Sequence, residues 1–215
     1  MDLLGWIDAN REEIVARLYE HVELTGLAVA LGFVISFPFG VLAHRRRRLY
    51  GPIAGVTGLL YTIPSLALFA FLVPYTGLST TTAEIGLVSY TLLILIRNIV
   101  AGLDSVPTDV LEAARGMGYS RRQLLWRVQL PLAVPVIVAG IRIATVTTIG
   151  LVTVTALIGK GGFGIFILQG LRAFGNNNEA TVMGALLSIA LAVAADAVLV
   201  VCERLLTPWA RGGAA

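Results

Sequence analysis

The sequence predicts an all-α, polytopic membrane helix bundle with five transmembrane helices. Three observations predict it. The 215 residues are 57% hydrophobic and only 13% charged, about half the charged share of a soluble domain. Mean hydropathy is +0.84. Uncharged runs long enough to cross a bilayer recur along the chain, and the arginines cluster at their ends. The same numbers exclude disorder, which needs low hydrophobicity and high charge. Nucleic acid is excluded as a partner, because the arginines form no basic stripe with interleaved aromatics. Cys202 is the only cysteine, so no internal disulfide or cysteine metal cluster forms.

Residues 24–43 carry no charge. About 20 apolar residues cover the ~30 Å hydrocarbon core, so this is the first span. The preceding segment is acidic and no small-residue cleavage site follows, which argues against a cleavable signal peptide. Residues 49–83 are uncharged and too long for one helix. They divide into a second span at 52–73, a turn at 74–80 and a third span from 81 to 100. Residues 130–158 contain one charge, Arg142, and hold a fourth span to Ile149. An apolar, glycine-rich segment follows to Gly170. Residues 180–201 form the last span, interrupted only by Asp196.

Arginine placement orients the chain. Arg45–Arg48 directly follow span one, and the positive-inside rule puts them in the cytoplasm. The N-terminus is then outside, where residues 1–23 carry six acids against Arg11 and Arg17. Five spans keep Arg97, Arg115, Arg121, Arg122, Arg127, Arg204 and Arg211 inside. A sixth span over 151–170 is possible but would place a basic cluster outside, so that segment is expected to be broken or re-entrant. Leu4, Ile7, Ile14, Leu18 and Val22 share one helical face, which suits an interfacial helix or an extension of span one. The organisation is an extracytoplasmic segment 1–23, a transmembrane domain 24–208 and a cytoplasmic tail 209–215.

The loop 104–130 is polar and reads as two short helices. Pro107 suits a first turn. Val110, Ala113, Ala114 and Met117 follow helical spacing and give a small-residue stripe. Gly116 and Gly118 end the helix. Ser120 and Gln123 form a capping box for a second helix, which runs through Val128 until Leu130-Pro131 starts the next span. A narrow alanine face can seat in a partner's groove, with Asp109, Glu112, Arg115, Arg121 and Arg122 setting register at the rim. The alternative is a solvated loop with some helix.

Glu112-Ala113-Ala114, then Gly118, Val128 and Leu130-Pro131 match E-A-A-x-x-x-G-x(9)-I-x-L-P, with valine for isoleucine. The pattern resembles the signature loop of inner-membrane permease subunits of bacterial ABC importers. The resemblance extends over 24–208. Within it, Tyr61 to Pro74, Arg97 to Leu103, and Gly140 to Gly164 look like the osmoprotectant group, the glycine betaine, carnitine and choline permeases. Methionine permeases share some of these stretches. The resemblance implies a coupling helix that docks on a separate ATPase, carried by Glu112, Ala113, Ala114, Gly118, Leu130 and Pro131. It implies a second permease subunit, an extracytoplasmic substrate-binding protein, and a multi-pass place in the bacterial inner membrane. The resemblance further implies that ATP is bound by the partner subunit, with no cofactor expected in this chain and no covalent chemistry performed by it.

Other features invite competing readings. Gly159-Lys160-Gly161-Gly162-Phe163-Gly164 satisfies G-x-G-x-x-G, but a dinucleotide site needs a βαβ context, and a break in a membrane element fits better. Arg142 and Asp196 are charges inside spans, which face the bundle interior and often mark a pathway. They either pair structurally or line the translocation route. Tyr61, Phe69, Phe71 and Tyr75 offer rings to a quaternary ammonium, and Tyr61 and Tyr75 are kept as path candidates. His21 and His44 sit at opposite ends of span one and are expected to be interfacial. Gly51-x-x-x-Gly55 fits a helix-contact motif. The rival functions are a permease for methionine or another small solute, an intramembrane protease, and an ATP-independent channel or secondary transporter. The protease lacks a mid-span histidine or a second aspartate. The channel leaves the loop pattern unexplained.

Overall fold

The computed structural model describes residues 3–173 and 178–208. Among the described residues the chain is all helical, without strands. The order is α1 (Leu3–Ala9), α2 (Arg11–Arg45), α3 (Arg47–Thr62), α4 (Ser65–Thr76), α5 (Thr80–Asp104), α6 (Thr108–Gly116), α7 (Arg121–Leu124), a π turn (Leu125–Gln129), α8 (Leu130–Val154), a 3-10 turn (Thr155–Ile158), α9 (Gly164–Arg172) and α10 (Asn178–Leu206). The expected tail 209–215, with Arg211, lies outside the described residues.

Helices α2, α5 and α8 form the centre. Glycines let them approach closely: a Cβ on Gly32 would overlap Thr91, one on Gly40 would overlap Ile99, and one on Gly140 would overlap Asn98. This is the small-residue packing expected between membrane helices, where no water drives apolar faces together. Gly51 and Gly55 face open space instead, so their motif makes no contact within the chain. Two apolar clusters stack along the bundle. One joins Ile99, Leu103, Leu125, Ala133 and Ile137. The other joins Leu24, Phe69, Leu87, Val152 and Ile158.

Two expectations need correction. The second span is not one helix. It is α3 and α4, bent by 91° at Ile63-Pro64. Pro64 has no N–H to donate and forces the residue before it out of the helical region; Ile63 is extended, with ψ 127°. The freed Ile63 carbonyl accepts a hydrogen bond from the Tyr90 hydroxyl of α5, so the break is satisfied by protein rather than left bare in hydrocarbon. Pro74 lies inside α4, and the turn falls at 77–79, where Ser79 caps α5 by accepting from the Thr82 N–H at 3.2 Å. Second, the loop's second helix is not separate. It runs through the π turn directly into α8, with the Leu130 N–H reaching back to Leu125. The Pro131 ring crowds the carbonyl four residues earlier, and the widened turn directly before it relieves that crowding.

The bent pair still crosses. At one end, α3 begins beside α5's C-terminus, where Arg47 Nη1 donates to Asp104 Oδ2 at 2.6 Å. At the other end, Phe69 of α4 packs with Leu24, Ala83 and Val152. Four helices are long and apolar enough to span alone, and the pair makes a fifth. The 151–170 segment breaks into the end of α8, the 3-10 turn and α9. α9 has nine residues, about 14 Å of helix, so it makes no sixth crossing. Ahead of span one, α2 extends the helix back to Arg11, while α1 is set apart at Asn10 and packs Trp6 edge-on to Phe166.

Candidate functional site

The α6–α7 hairpin is built by local rules. α6 ends in paired backbone bonds, Gly118 N–H to the Arg115 carbonyl at 2.9 Å and Tyr119 N–H to the Ala114 carbonyl at 3.2 Å. This is the Schellman arrangement, which needs a left-handed residue at the first position past the cap, and Gly118 supplies it with φ +82°. The Ser120–Gln123 capping box is formed in both directions, at 2.8 and 3.3 Å.

The expected small-residue stripe divides. Ala114 turns into the bundle and is buried, while Val110, Ala113 and Met117 turn outward and are exposed. Beside this outward face stand Asp109, Glu112 and Arg115, all exposed, with Arg121 and Arg122 exposed on α7. Among the described residues none of these five charges forms an ion pair within the chain. Leu130 packs on the Ile99–Leu103 cluster and Pro131 is half-buried. They anchor the hairpin to the bundle, and Glu112, Ala113 and Gly118 lie at its free surface.

Arg142 and Asp196 meet. The Arg142 guanidinium forks both Asp196 oxygens, at 2.8 and 3.1 Å, and its third nitrogen reaches Glu203 at 3.1 Å. Asp196 and Glu203 are two turns apart on one face of α10, so one α8 arginine clamps that face. The sequence pattern points to the first partner and not to Glu203, which lies close to the span's charged end. Tyr61 and Tyr75 do not come together through ring contacts. Tyr61 packs edge-on to Tyr90 at 5.9 Å beside the α3–α4 break, and Tyr75 pairs with Phe71 at 5.5 Å. Phe69 is a core residue, 1% exposed.

His21 is fully buried within the protein, its Nε2 hydrogen-bonded with the Ile149 carbonyl at 3.0 Å and its Nδ1 accepting from the Phe163 N–H at 3.3 Å. It ties α2 to α8 and to the glycine-rich segment. That segment's Lys160, Gly164 and Ile165 N–H groups are also bonded to its own carbonyls. His44 joins Asp104 at 2.6 Å and Gln129 at 3.1 Å.

Glu84 has no role that the sequence pattern signals. It is 7% exposed, and neither carboxyl oxygen has a hydrogen-bond partner among the described residues. A buried polar group left without a partner costs stability. Glu84→Met is therefore expected to stabilise the fold by about 1–3 kcal/mol, read as a higher thermal unfolding midpoint in detergent. A lower midpoint would show that the carboxyl is paired in the purified protein.

Among known proteins, residues 29–208 match the family described as "binding-protein-dependent transport system inner membrane component". The chain is 36% identical over 206 residues to the choline transport system permease protein OpuBB of Bacillus subtilis (strain 168), covering 96% of this chain and 94% of that one. It is 37% identical to the osmoprotectant import permease protein OsmW of Salmonella typhimurium, covering 97% and 98%. The fold is similar to a chain of the MetNI methionine ABC transporter in an inward-facing conformation, with TM-score 0.83 at 23% identity, covering 93% of this chain and 98% of that one. It is also similar to a chain of an amino acid ABC transporter, with TM-score 0.71 at 19% identity, covering 95% and 98%.

Proposed function

The chain belongs to the family of binding-protein-dependent transport system inner membrane components, the permease subunits of ABC importers, and from that premise we propose that its cargo is a quaternary-ammonium osmoprotectant such as glycine betaine, carnitine or choline. The similarity to choline and osmoprotectant permeases over nearly the whole chain carries this reading. Such cargo has a cation that cannot donate hydrogen bonds, so ring faces are its natural contacts. Tyr61 and Tyr75 are the rings assigned to its path. The methionine transporter shares the fold at 23% identity, and fold alone does not set cargo.

The outward face of α6 is assigned to docking a separate ATPase, which binds the ATP. Val110, Ala113 and Met117 present an apolar strip exposed among the described residues, rimmed by Asp109, Glu112, Arg115, Arg121 and Arg122. Two permeases, of this chain or of this and a related one, would form the pathway. ATP-driven closure of the paired ATPases would draw the two α6 helices together, and their rigid link through the π turn to α8 would carry that motion into the spans. The hairpin is then cytoplasmic, the N-terminus outside and the C-terminus inside, with a substrate-binding protein docking on the outer face. Arg142 and Asp196 serve in this reading as a clamp between α8 and α10, since their charges are satisfied within the chain.

The test is reconstitution of the complex in lipid with its binding protein. Loading with glycine betaine or choline is expected to stimulate ATP hydrolysis. Stimulation by methionine alone would keep the mechanism and overturn the cargo. Glu112→Ala should lower transport-coupled ATP hydrolysis by about tenfold while leaving insertion unchanged. Full coupling in that variant would remove Glu112 from the docking face.

A further inference from the structure

A cationic cavity lies beside the hairpin, behind the rim of the α6 docking face, with which it shares Arg115 and Arg121. It has a volume of about 830 Å³ and is bounded by Arg45 and Arg46 from the end of α2, Arg115 from α6, and Tyr119 and Arg121 from the hairpin. No carboxylate among the described residues lines it. Among the described residues, none of these four arginines has an ion-pair partner. Their neighbour Arg47 shows the contrast, since it takes Asp104 at 2.6 Å. Four guanidinium groups around one cavity repel one another, and a phosphate is the ligand their planar forks fit best.

We propose that this cavity holds the headgroup phosphate of an anionic phospholipid. The place of the cavity along the helices favours a lipid. Its lining also includes Leu124 and Gln129, both buried, on the segment leading into the apolar α8, and His44, where the apolar run of α2 ends. His44 is held in place as part of that wall by Asp104 and Gln129. The cavity therefore opens where the hydrocarbon-spanning stretches stop, at headgroup level. Basic pockets between helices on the cytoplasmic side bind anionic headgroups, and each arginine near that leaflet adds to the attraction. A protein partner has the outward face of α6, with its apolar strip, and shares only Arg115 and Arg121 with the cavity, while Arg45 and Arg46 stand apart from that strip.

The test uses the permease purified with its ATPase. The complex is equilibrated with vesicles of phosphatidylcholine with or without phosphatidylglycerol, and retained lipid is counted by native mass spectrometry. Phosphatidylglycerol is expected to be retained over phosphatidylcholine. Arg46→Gln with Arg121→Gln should weaken that retention by about thirtyfold. The second pair, Arg45→Gln with Arg115→Gln, should do the same, so misfolding of one variant does not decide the matter. Arg48→Gln, outside the cavity, should leave retention unchanged. Equal retention in both double variants would overturn the proposal. Inorganic phosphate bound by the complex without any preference for phosphatidylglycerol would assign the site to a soluble anion and overturn it. Loss of the ATPase with lipid retention intact would assign the arginines to a protein interface, which also overturns it.

Discussion

Arg142→Ala is expected to deplete the membrane of folded protein by roughly tenfold or more. The arginine forks Asp196 and reaches Glu203 across the α8–α10 contact. Its removal leaves two carboxylates facing each other's field with hydrocarbon beside them. A bilayer core supplies no water to hydrate them, and an uncompensated charge costs more than the pair contributed. The first half of α10 packs closely, with Gly184 against Phe163 and Ile167, but beyond it the helix carries outward apolar side chains such as Ile189, Val193 and Val198, so the clamp is a polar tie of that second half. The measurement is the monodisperse fraction of detergent-extracted protein. A rescue separates a clamp from a path residue. Arg142→Met with Asp196→Asn and Glu203→Gln removes all three charges and should restore accumulation. If that triple variant folds and transports, the charges only clamp. If it folds and fails to transport, Arg142 meets cargo. Normal accumulation of Arg142→Ala alone would refute the clamp.

Gly118→Val should be the most damaging change in the hairpin. Gly118 has φ +82°, a region that costs an L-residue roughly 1–2 kcal/mol, and a β-branched side chain sits at the upper end of that cost. The valine would therefore unwind the Schellman pair at Arg115 and Ala114 or tilt α6 away from α7. Nothing crowds the position, since a Cβ there meets open space, so the penalty is one of backbone conformation. The expected result is full insertion with substrate-stimulated ATP hydrolysis reduced about tenfold. Gly118→Asn, which tolerates the left-handed region better, should recover much of it. Equal losses in valine and asparagine variants would mean that the bare surface at Gly118, rather than its φ, is what coupling needs.

The legible parts of this protein are those whose causes are local. The hairpin is readable because a capping box and a Schellman turn involve atoms close together in the chain, and Ser120, Gln123 and Gly118 announce them. The outward and inward halves of the Val110–Met117 stripe are not readable, because helical spacing alone does not say which side of a short helix meets the bundle. Pro64 is visible within the second span, yet the 91° bend depends on Tyr90, which takes the freed Ile63 carbonyl from 27 residues away. The sequence places His21 at a span end without showing its burial. Its two partners lie 128 and 142 residues away, and only the fold of the glycine-rich segment brings them to it.

By itself, the sequence determined the membrane class, the five crossings and the hairpin's local geometry, since run length against bilayer thickness and short-range hydrogen bonding are one-dimensional constraints. The family pattern came with the same stretch of chain. Tertiary structure alone decided where α3–α4 breaks, that Glu203 completes the Arg142 clamp, that Glu84 is buried without a partner among the described residues, and that four arginines from α2, α6 and α7 face one cavity. Each of these is a meeting, or a missed meeting, of side chains far apart in the chain. In a bilayer such meetings are selected by which polar groups find partners, and that is settled only when the helices have packed.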